Sequence, residues 1–483
     1  MKIVNILLSV LLIFNTCQGE EKKRETILDN ISHVEDSIHY QIDSLPRLCD
    51  LLGMNRQYID IGDCKLYCET EGKGIPIVLI NGGPGGTHHY FHPWFEQAAA
   101  FCKVIYYDQR GCGQSDFNKG NGYTFRQSID DLDKLRQKLN IEKWIVCGYS
   151  YGGAVAQYYT AKYPENVLGM VLISSTTLLH DTVIYKSRQY DYISPDERQK
   201  IKEIYSLYNN GQISFLQLLY NKKINGDWKR QHFNKPTKEE FIRAALYEWV
   251  HDKGFNRTMG KSMEGYDFKH IFDNCPIPTL ICEGKWDLTW SEGKKEIFKN
   301  NHPNAENVVF ENSGHVIFLD ETKLFFSTLK KFTGMLKQTS PEQLNEWEKQ
   351  VDKLLSPQEK LIENEKRFFL MIEIEGIDKA LEYFNTFRSE NKEGILFTEN
   401  GMNRLGYSYL NKKEYKVAIQ VFRMNVESYP NSWNVYDSLG EAYLVSGDRE
   451  KALENYKKSI VLNPNNENGK KILNEIAISN NVK

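Results

Sequence analysis

At 483 residues, with 41% hydrophobic, 26% charged and 12% aromatic side chains, the chain can bury a sizeable core and has the length for roughly two to four domains. A formal charge of −3 and a pI near 6.5 give no electrostatic pull toward nucleic acid or an anionic membrane surface. Polyanion binding is therefore excluded as a principal role, and no nucleic-acid partner is expected.

The N-terminus reads "MKIVNILLSVLLIFNTCQGEEKKRE": Lys2, a mostly apolar run from Ile3 to Phe14, then an abrupt charged tail. The run is too short to span a bilayer but fits the apolar core of a secretory signal. "FNTC" resembles a relaxed bacterial lipoprotein cleavage box that would make Cys17 the lipidated first residue. Phe14 and Thr16 depart from its strict form, and cleavage near Gly19 is the alternative. The expectation is a signal over 1–17, a linker or helical segment over 18–54, and export to a bacterial periplasm. Membrane contact would come only through a lipid on Cys17. Of nine cysteines, Cys102, Cys147 and Cys282 sit inside strand-like runs and read as small buried residues. Cys64 and Cys68 lie on a hairpin with no second Cys/His pair to complete a metal site. The oxidation state of Cys49, Cys64 and Cys68 stays open.

From 55 to 335, β-rich runs alternate with helical stretches. The runs are "KLYCET", "IPIVLI", "KVIYYD", "KWIVCG", "GMVLIS", "IPTLICEG" and "NVVFEN". The central ones are nearly all apolar, as strands covered on both faces must be. A helix is predicted over Arg126–Asn140, where Ile129, Leu132, Leu135 and Leu139 fall on one face, and another after Ser150, ended by Pro164. The fold class is α/β with right-handed crossovers. The rhythm breaks over about 178–270, a charged, aromatic, helical stretch too long for an ordinary connection and best read as a helical cap.

Beyond a helical linker over 336–370 the sequence repeats itself. Leu405, Gly406, Tyr409, Ala418, Phe422 and Pro430 recur, at a constant offset of 34, as Leu439, Gly440, Tyr443, Ala452, Tyr456 and Pro464. This resembles the tetratricopeptide repeat, a helix pair with small residues at the crossing. Full repeats are expected at 399–432 and 433–466 in an all-α domain over 371–480. A degenerate unit near 376–384 and a helix near Lys470–Ile478 would cap them. The concave face of such a stack could take a protein partner.

The chemistry centres on "VCGYSYGGAV". A Gly-x-Ser-x-Gly pattern alone is weak, but Ser150 follows a strand and precedes a helix, the setting of a nucleophile elbow. A serine hydroxyl needs a base to remove its proton. In the order Ser, acid, His, His315 in "ENSGHV" follows a strand at the sheet's carboxyl edge, whereas His302 in "NNHPN" reads as surface. Asp287 in "EGKWDLTW" follows the strand before it and would fix the imidazole tautomer; Glu283 lies within that strand and would be poorly placed. "INGGPGG" (80–86) supplies an oxyanion loop, with the backbone N–H of Gly83 and of Tyr151 as the donors. It lacks the Lys-Ser/Thr ending of a phosphate loop. The chemistry requires no cofactor or metal. "HHYFH" (His88, His89, His92) has no carboxylate at ligand spacing and is expected to wall the pocket or lie on a helix surface. Asp108 and Arg110 are expected to tie their loop to neighbouring backbone.

"NGGPGG", "YYDQRGCGQSD" and "GYSYGG" together resemble the proline iminopeptidase family of α/β-hydrolases and the related tricorn-associated aminopeptidases, over roughly 55–333. The resemblance implies an α/β-hydrolase fold with a helical cap, a triad of Ser150, Asp287 and His315, and removal of an N-terminal residue, often proline, through an acyl-enzyme. Asn81 stands where the family usually has His, and Tyr151 where many members have Trp, so strict proline preference is not implied. The substrate would be a peptide with a free N-terminus, whose ammonium needs an acidic anchor. Glu264 in "GKSMEGYDF" resembles one such cap position and Glu248 in "LYEWV" is the second candidate. Two rival readings remain, an esterase or amidase on small acyl substrates and an envelope scaffold working through its repeats.

Overall fold

The computed structural model describes residues 38–118, 120–179, 191–288, 292–391 and 394–480. The predicted signal and Cys17 lie outside them. Eight strands form one sheet in the order β1-β2-β4-β3-β5-β6-β7-β8. They are β1 Asn55–Asp60, β2 Lys65–Gly72, β3 Ile75–Ile80, β4 Cys102–Tyr107, β5 Trp144–Tyr149, β6 Val167–Ile173, β7 Thr279–Gly284 and β8 Glu306–Phe310. β1, β2 and β4 pair antiparallel, and the rest run parallel.

The apolar runs become the central strands for the reason their composition gives. Every residue of β5 is buried, so no position had to be polar. β1 escaped the sequence reading because it is an edge strand in which exposed and half-buried residues mix, leaving no apolar run to detect. Helix Phe125–Lys138 begins at a Thr124 cap that accepts from Gln127 N and buries Phe125, Ile129, Leu132 and Leu135. Helix Tyr151–Lys162 is buried from Tyr151 to Ala161 and therefore shows no amphipathic stripe.

Between β6 and β7 the described residues hold no strand. Helices Pro195–Asn209, Phe215–Ile224 and Lys238–Arg243 each start at a reciprocal capping box, Ser194/Glu197, Ser214/Gln217 and Thr237/Glu240. A π-helical turn, Ala244–Glu248, and helix Phe255–Met263 follow.

The chain divides into two compact units, and the division corrects the predicted boundaries. The segment Thr258–Pro276, assigned from the sequence largely to the cap, groups with Ser340–Lys483 rather than with the sheet. The stretch predicted as a linker is also more than that. Helix Pro341–Ile374 buries Trp347, Val351 and Leu355. Trp347 Nε1 donates to Ile271 O at 2.8 Å, and Gln358 bonds both backbone groups of Asp267 at 2.8 Å. These contacts hold 258–276 within the second unit. Its helix pairs are Glu399–Asn411 with Tyr415–Ser428 and Trp433–Ser446 with Arg449–Leu462, ended by Glu467–Asn480. The repeat has a steric cause: a Cβ on Gly406 would lie 2.5 Å from the Phe422 ring, and one on Gly440 3.1 Å from the Tyr456 ring. Ala418 and Ala452, at the helix crossings, are fully buried.

Candidate active site

The parallel strands present their carboxyl ends at one edge, with β3, β5, β7 and β8 supplying the loops that carry the predicted residues. At the end of β5 the chain turns sharply into the helix. Ser150 has φ 54° and ψ −118°, a left-handed conformation that costs energy in a residue with a Cβ. Three backbone bonds hold it there: its N–H donates to Ile173 O at 2.9 Å, and its carbonyl accepts from Gly153 N at 3.0 Å and Thr176 N at 2.9 Å. The flanking glycines are sterically required. A Cβ on Gly152 would lie 2.1 Å from Ile80 O, and one on Gly148 2.2 Å from Gly152 O.

The loops after β7 and β8 meet behind this turn. His315 Nδ1 and Asp287 Oδ2 are 2.7 Å apart, and both residues are buried. The imidazole is positioned from its backbone as well, since His315 N donates to Gln231 O at 2.6 Å and His315 O accepts from Ser174 Oγ at 2.7 Å. Its ring lies 5.2 Å from that of Tyr149. A pocket of about 130 Å³ is lined by Ser150, His315, Gly83, Tyr90, Tyr149, Gln231 and Trp249. The hydroxyl, the imidazole and the glycine-rich loop thus share one space. Tyr151 N opens the helix, where a backbone N–H has no intrahelical acceptor.

A family described as "alpha/beta hydrolase fold" matches residues 75–322, half of the chain. The chain belongs to the alpha/beta hydrolase fold family. A tetratricopeptide repeat matches residues 433–466, the second of the two predicted repeats. Over 290 residues the hydrolase is 27% identical to a "Proline iminopeptidase" of Saccharolobus solfataricus, covering 58% of this chain and 90% of the relative. It is 28% identical over 290 residues to a "Proline iminopeptidase" of Lactobacillus delbrueckii subsp. bulgaricus, covering 56% and 95%. Among solved structures, an esterase from Exiguobacterium antarcticum aligns with a TM-score of 0.46 at 21% identity, covering 58% of this chain and 98% of that one.

The glycine-rich loop over 80–86 is anchored on both sides. Asn81 donates from Nδ2 to Tyr107 O at 3.0 Å. Thr87 ties the loop to the π-helical turn: its N–H donates to Glu248 O at 3.1 Å, and its hydroxyl to Tyr247 O at 2.6 Å. That turn ends at Glu248, which lines a second cavity of about 260 Å³ sharing Tyr90 and Gln231 with the first. Burial pushes the Glu248 carboxyl upward in pKa. Glu264 belongs to the second unit, where its carboxylate pairs with Arg404 of helix Glu399–Asn411. Of the two candidate anchors, Glu264 already has a cation, whereas the Glu248 carboxylate has no hydrogen-bond partner among the described residues.

Two expectations about histidines are corrected. His302 is buried, not on the surface, with Nε2 3.2 Å from Gln157 Oε1; burial holds its pKa down at about 3. The three histidines of "HHYFH" are buried rather than on a helix surface, His89 and His92 wall the second cavity as the pocket reading expected, and a carboxylate does accompany them, brought from β2 by the fold. Glu69 Oε2 lies 3.0 Å from His92 Nε2. Glu69, Cys49 and His88 place potential ligand atoms within 4.8 Å of one another. Each is engaged inside the cluster: Glu69 Oε1 accepts from Tyr67 OH, and His88 sits between Cys49 Sγ at 3.6 Å and Asp108 Oδ1 at 2.9 Å. Burial opposes charge on His88, but Asp108 outweighs it and holds the pKa up at about 10.

Asp108 and Arg110 fix the loop after β4. Asp108 accepts from His88 N and Gln114 N, both at 2.8 Å. Arg110 grips buried Asp131 with two bonds of 2.8 and 2.9 Å and Asp63 with two of 2.9 Å. Arg110→Ala should therefore destabilise the protein by about 3–5 kcal/mol, because it strands the Asp131 carboxylate in the interior. Chemical denaturation measures this, and a loss below about 1 kcal/mol would show that water solvates Asp131.

Proposed function

We propose that this hydrolase is a serine aminopeptidase that removes the first residue of a peptide through an acyl-enzyme. The observation that carries the reading is the juxtaposition of a strained Ser150, an Asp287-held His315 and, in the adjoining cavity, a Glu248 carboxylate without a partner. Ser150 Oγ attacks the scissile carbonyl carbon while His315 Nε2 takes its proton, Nδ1 being committed to Asp287. The carbonyl oxygen becomes an oxyanion facing the N–H groups of Gly83 and Tyr151. His315 then protonates the leaving amine, the C–N bond breaks, and the acyl group remains on Oγ. Water, deprotonated by His315, releases the amino acid and restores the serine.

Glu248 receives the substrate's ammonium, a charge that could not enter the cavity unpaired. The names of the relatives support a peptide substrate, and strict proline preference is not part of the proposal. Export with lipidation of Cys17 belongs to it too, resting on the N-terminal sequence, as does a protein partner for the repeats.

The test compares unblocked prolyl and alanyl amides with their N-blocked forms and a short-chain ester. Cleavage of only the unblocked amides is expected, and ester cleavage alone would favour the esterase reading. Glu248→Gln should raise KM for unblocked amides about 10–100-fold, the worth of one charge-assisted bond, and spare the ester. Equal loss on both substrates would make Glu248 a structural residue. Glu264→Gln, which breaks a half-exposed ion pair, should change stability by less than about 1 kcal/mol and leave KM alone.

A further inference from the structure

The cavity beside the catalytic pocket contains a cation that the proposed chemistry does not use. Lys223, on helix Phe215–Ile224, is 7% exposed and lines the same space as Glu248. Its ammonium makes no ion pair among the described residues, and its one hydrogen bond goes to the neutral amide of Gln231, Oε1, at 3.4 Å. Neighbouring Lys222 takes the nearby Asp227 instead, at 3.4 Å. Buried ammonium groups are rarely left this way, because the desolvation cost of the charge is offset only by a close anion. Burial drives the pKa of Lys223 down, with Glu248 and Asp227 opposing only in part.

The rest of the lining has the same unfinished character. His89 Nε2 accepts from Leu48 N at 3.3 Å, which leaves the proton of the neutral ring on Nδ1, and that nitrogen has no partner. His92 engages Glu69 through Nε2, and its Nδ1 is also unpartnered, as is Nδ1 of His232. Buried polar groups are paired in the great majority of cases; these three ring nitrogens are closed off from the space, so the case for a charged occupant rests on Lys223 and Glu248. At about 260 Å³ the space falls just below the range typical of drug-sized ligand pockets, which suits one amino-acid residue.

We propose that Lys223 receives the side-chain carboxylate of the substrate's first residue, so that the hydrolase prefers peptides beginning with glutamate or aspartate. The inference rests on the aminopeptidase reading. With the ammonium at Glu248, the residue whose carbonyl meets Ser150 occupies this cavity, and its side chain is what Lys223 can reach. Gln231 links the two spaces, since its side chain accepts from Lys223 and its backbone carbonyl holds His315 N. A side chain seated at Lys223 therefore bears on the same segment that positions the base.

The experiment measures kcat/KM for unblocked glutamyl, aspartyl, glutaminyl, prolyl and alanyl amides with the wild-type chain and with Lys223→Met. The glutamyl amide should exceed its neutral isostere, the glutaminyl amide, at least tenfold, because the site would leave a buried charge unpaired with the latter. In Lys223→Met that ratio should fall to near one. A wild-type ratio near one, with prolyl or alanyl amides cleaved, would overturn the assignment of Lys223 while leaving the aminopeptidase standing. Silence on every unblocked amide would overturn the aminopeptidase itself. The wild-type ratio decides the matter even if the variant does not fold.

Discussion

Ser150→Ala is expected to lower kcat/KM on any cleaved substrate by about 10⁴- to 10⁶-fold, the loss that follows when a hydrolase loses its nucleophile and retains only binding and oxyanion stabilisation. The fold should survive. Alanine at φ 54° suffers the same backbone strain as serine, and the three backbone bonds that fix the turn involve no hydroxyl. An unchanged melting temperature with activity gone is therefore the predicted pair of results. Retention of more than about a hundredth of wild-type activity would mean that another group attacks the carbonyl, since no acyl-enzyme could then form at this position.

The candidate residues were legible as neighbours of strand ends, because a β-rich run announces each one. Ser150, Asp287 and His315 follow β5, β7 and β8, and their chain order restricts the assignment further. The repeats were legible for a related reason, since Gly406 and Gly440 each face an aromatic ring one helix on, a packing rule that must recur with the repeat. What escaped was whatever tertiary packing decides. His302 looked like a loop residue, yet Gln157 from the helix after the elbow reaches it. Glu69 lies far from "HHYFH" in sequence but opposite it in space. Glu264 carried a family-like setting that says nothing about Arg404, a residue 140 positions on. Lys223 is the plainest case: in "YNKKINGDW" it is one of two adjacent lysines, and only the fold shows that Lys222 finds Asp227 while Lys223 turns into a cavity.

Replacing Asp287 by asparagine should cost about 10⁴-fold in kcat with little change in KM, for a reason that turns on one proton. The 2.7 Å contact to His315 Nδ1 requires that nitrogen to carry the hydrogen while a carboxylate accepts it, leaving the lone pair of Nε2 for the Ser150 hydroxyl. An asparagine amide can donate to Nδ1 instead, moving the ring proton to Nε2 and removing the base without moving the ring. It also removes the negative charge that stabilises the imidazolium of the transition state. Glu283 supplies the control, because it lies in β7 with Lys299 Nζ 2.6 Å away. Its change to glutamine should leave kcat within a few-fold of wild type, since it touches neither Ser150 nor the ring. If Glu283→Gln were the damaging change and Asp287→Asn the mild one, the acid would have been assigned to the wrong carboxylate. The buried pairing of Asp287 with His315 argues against that outcome: a carboxylate 2% exposed needs a partner that can share its charge, and in the proposed mechanism the imidazolium is that partner.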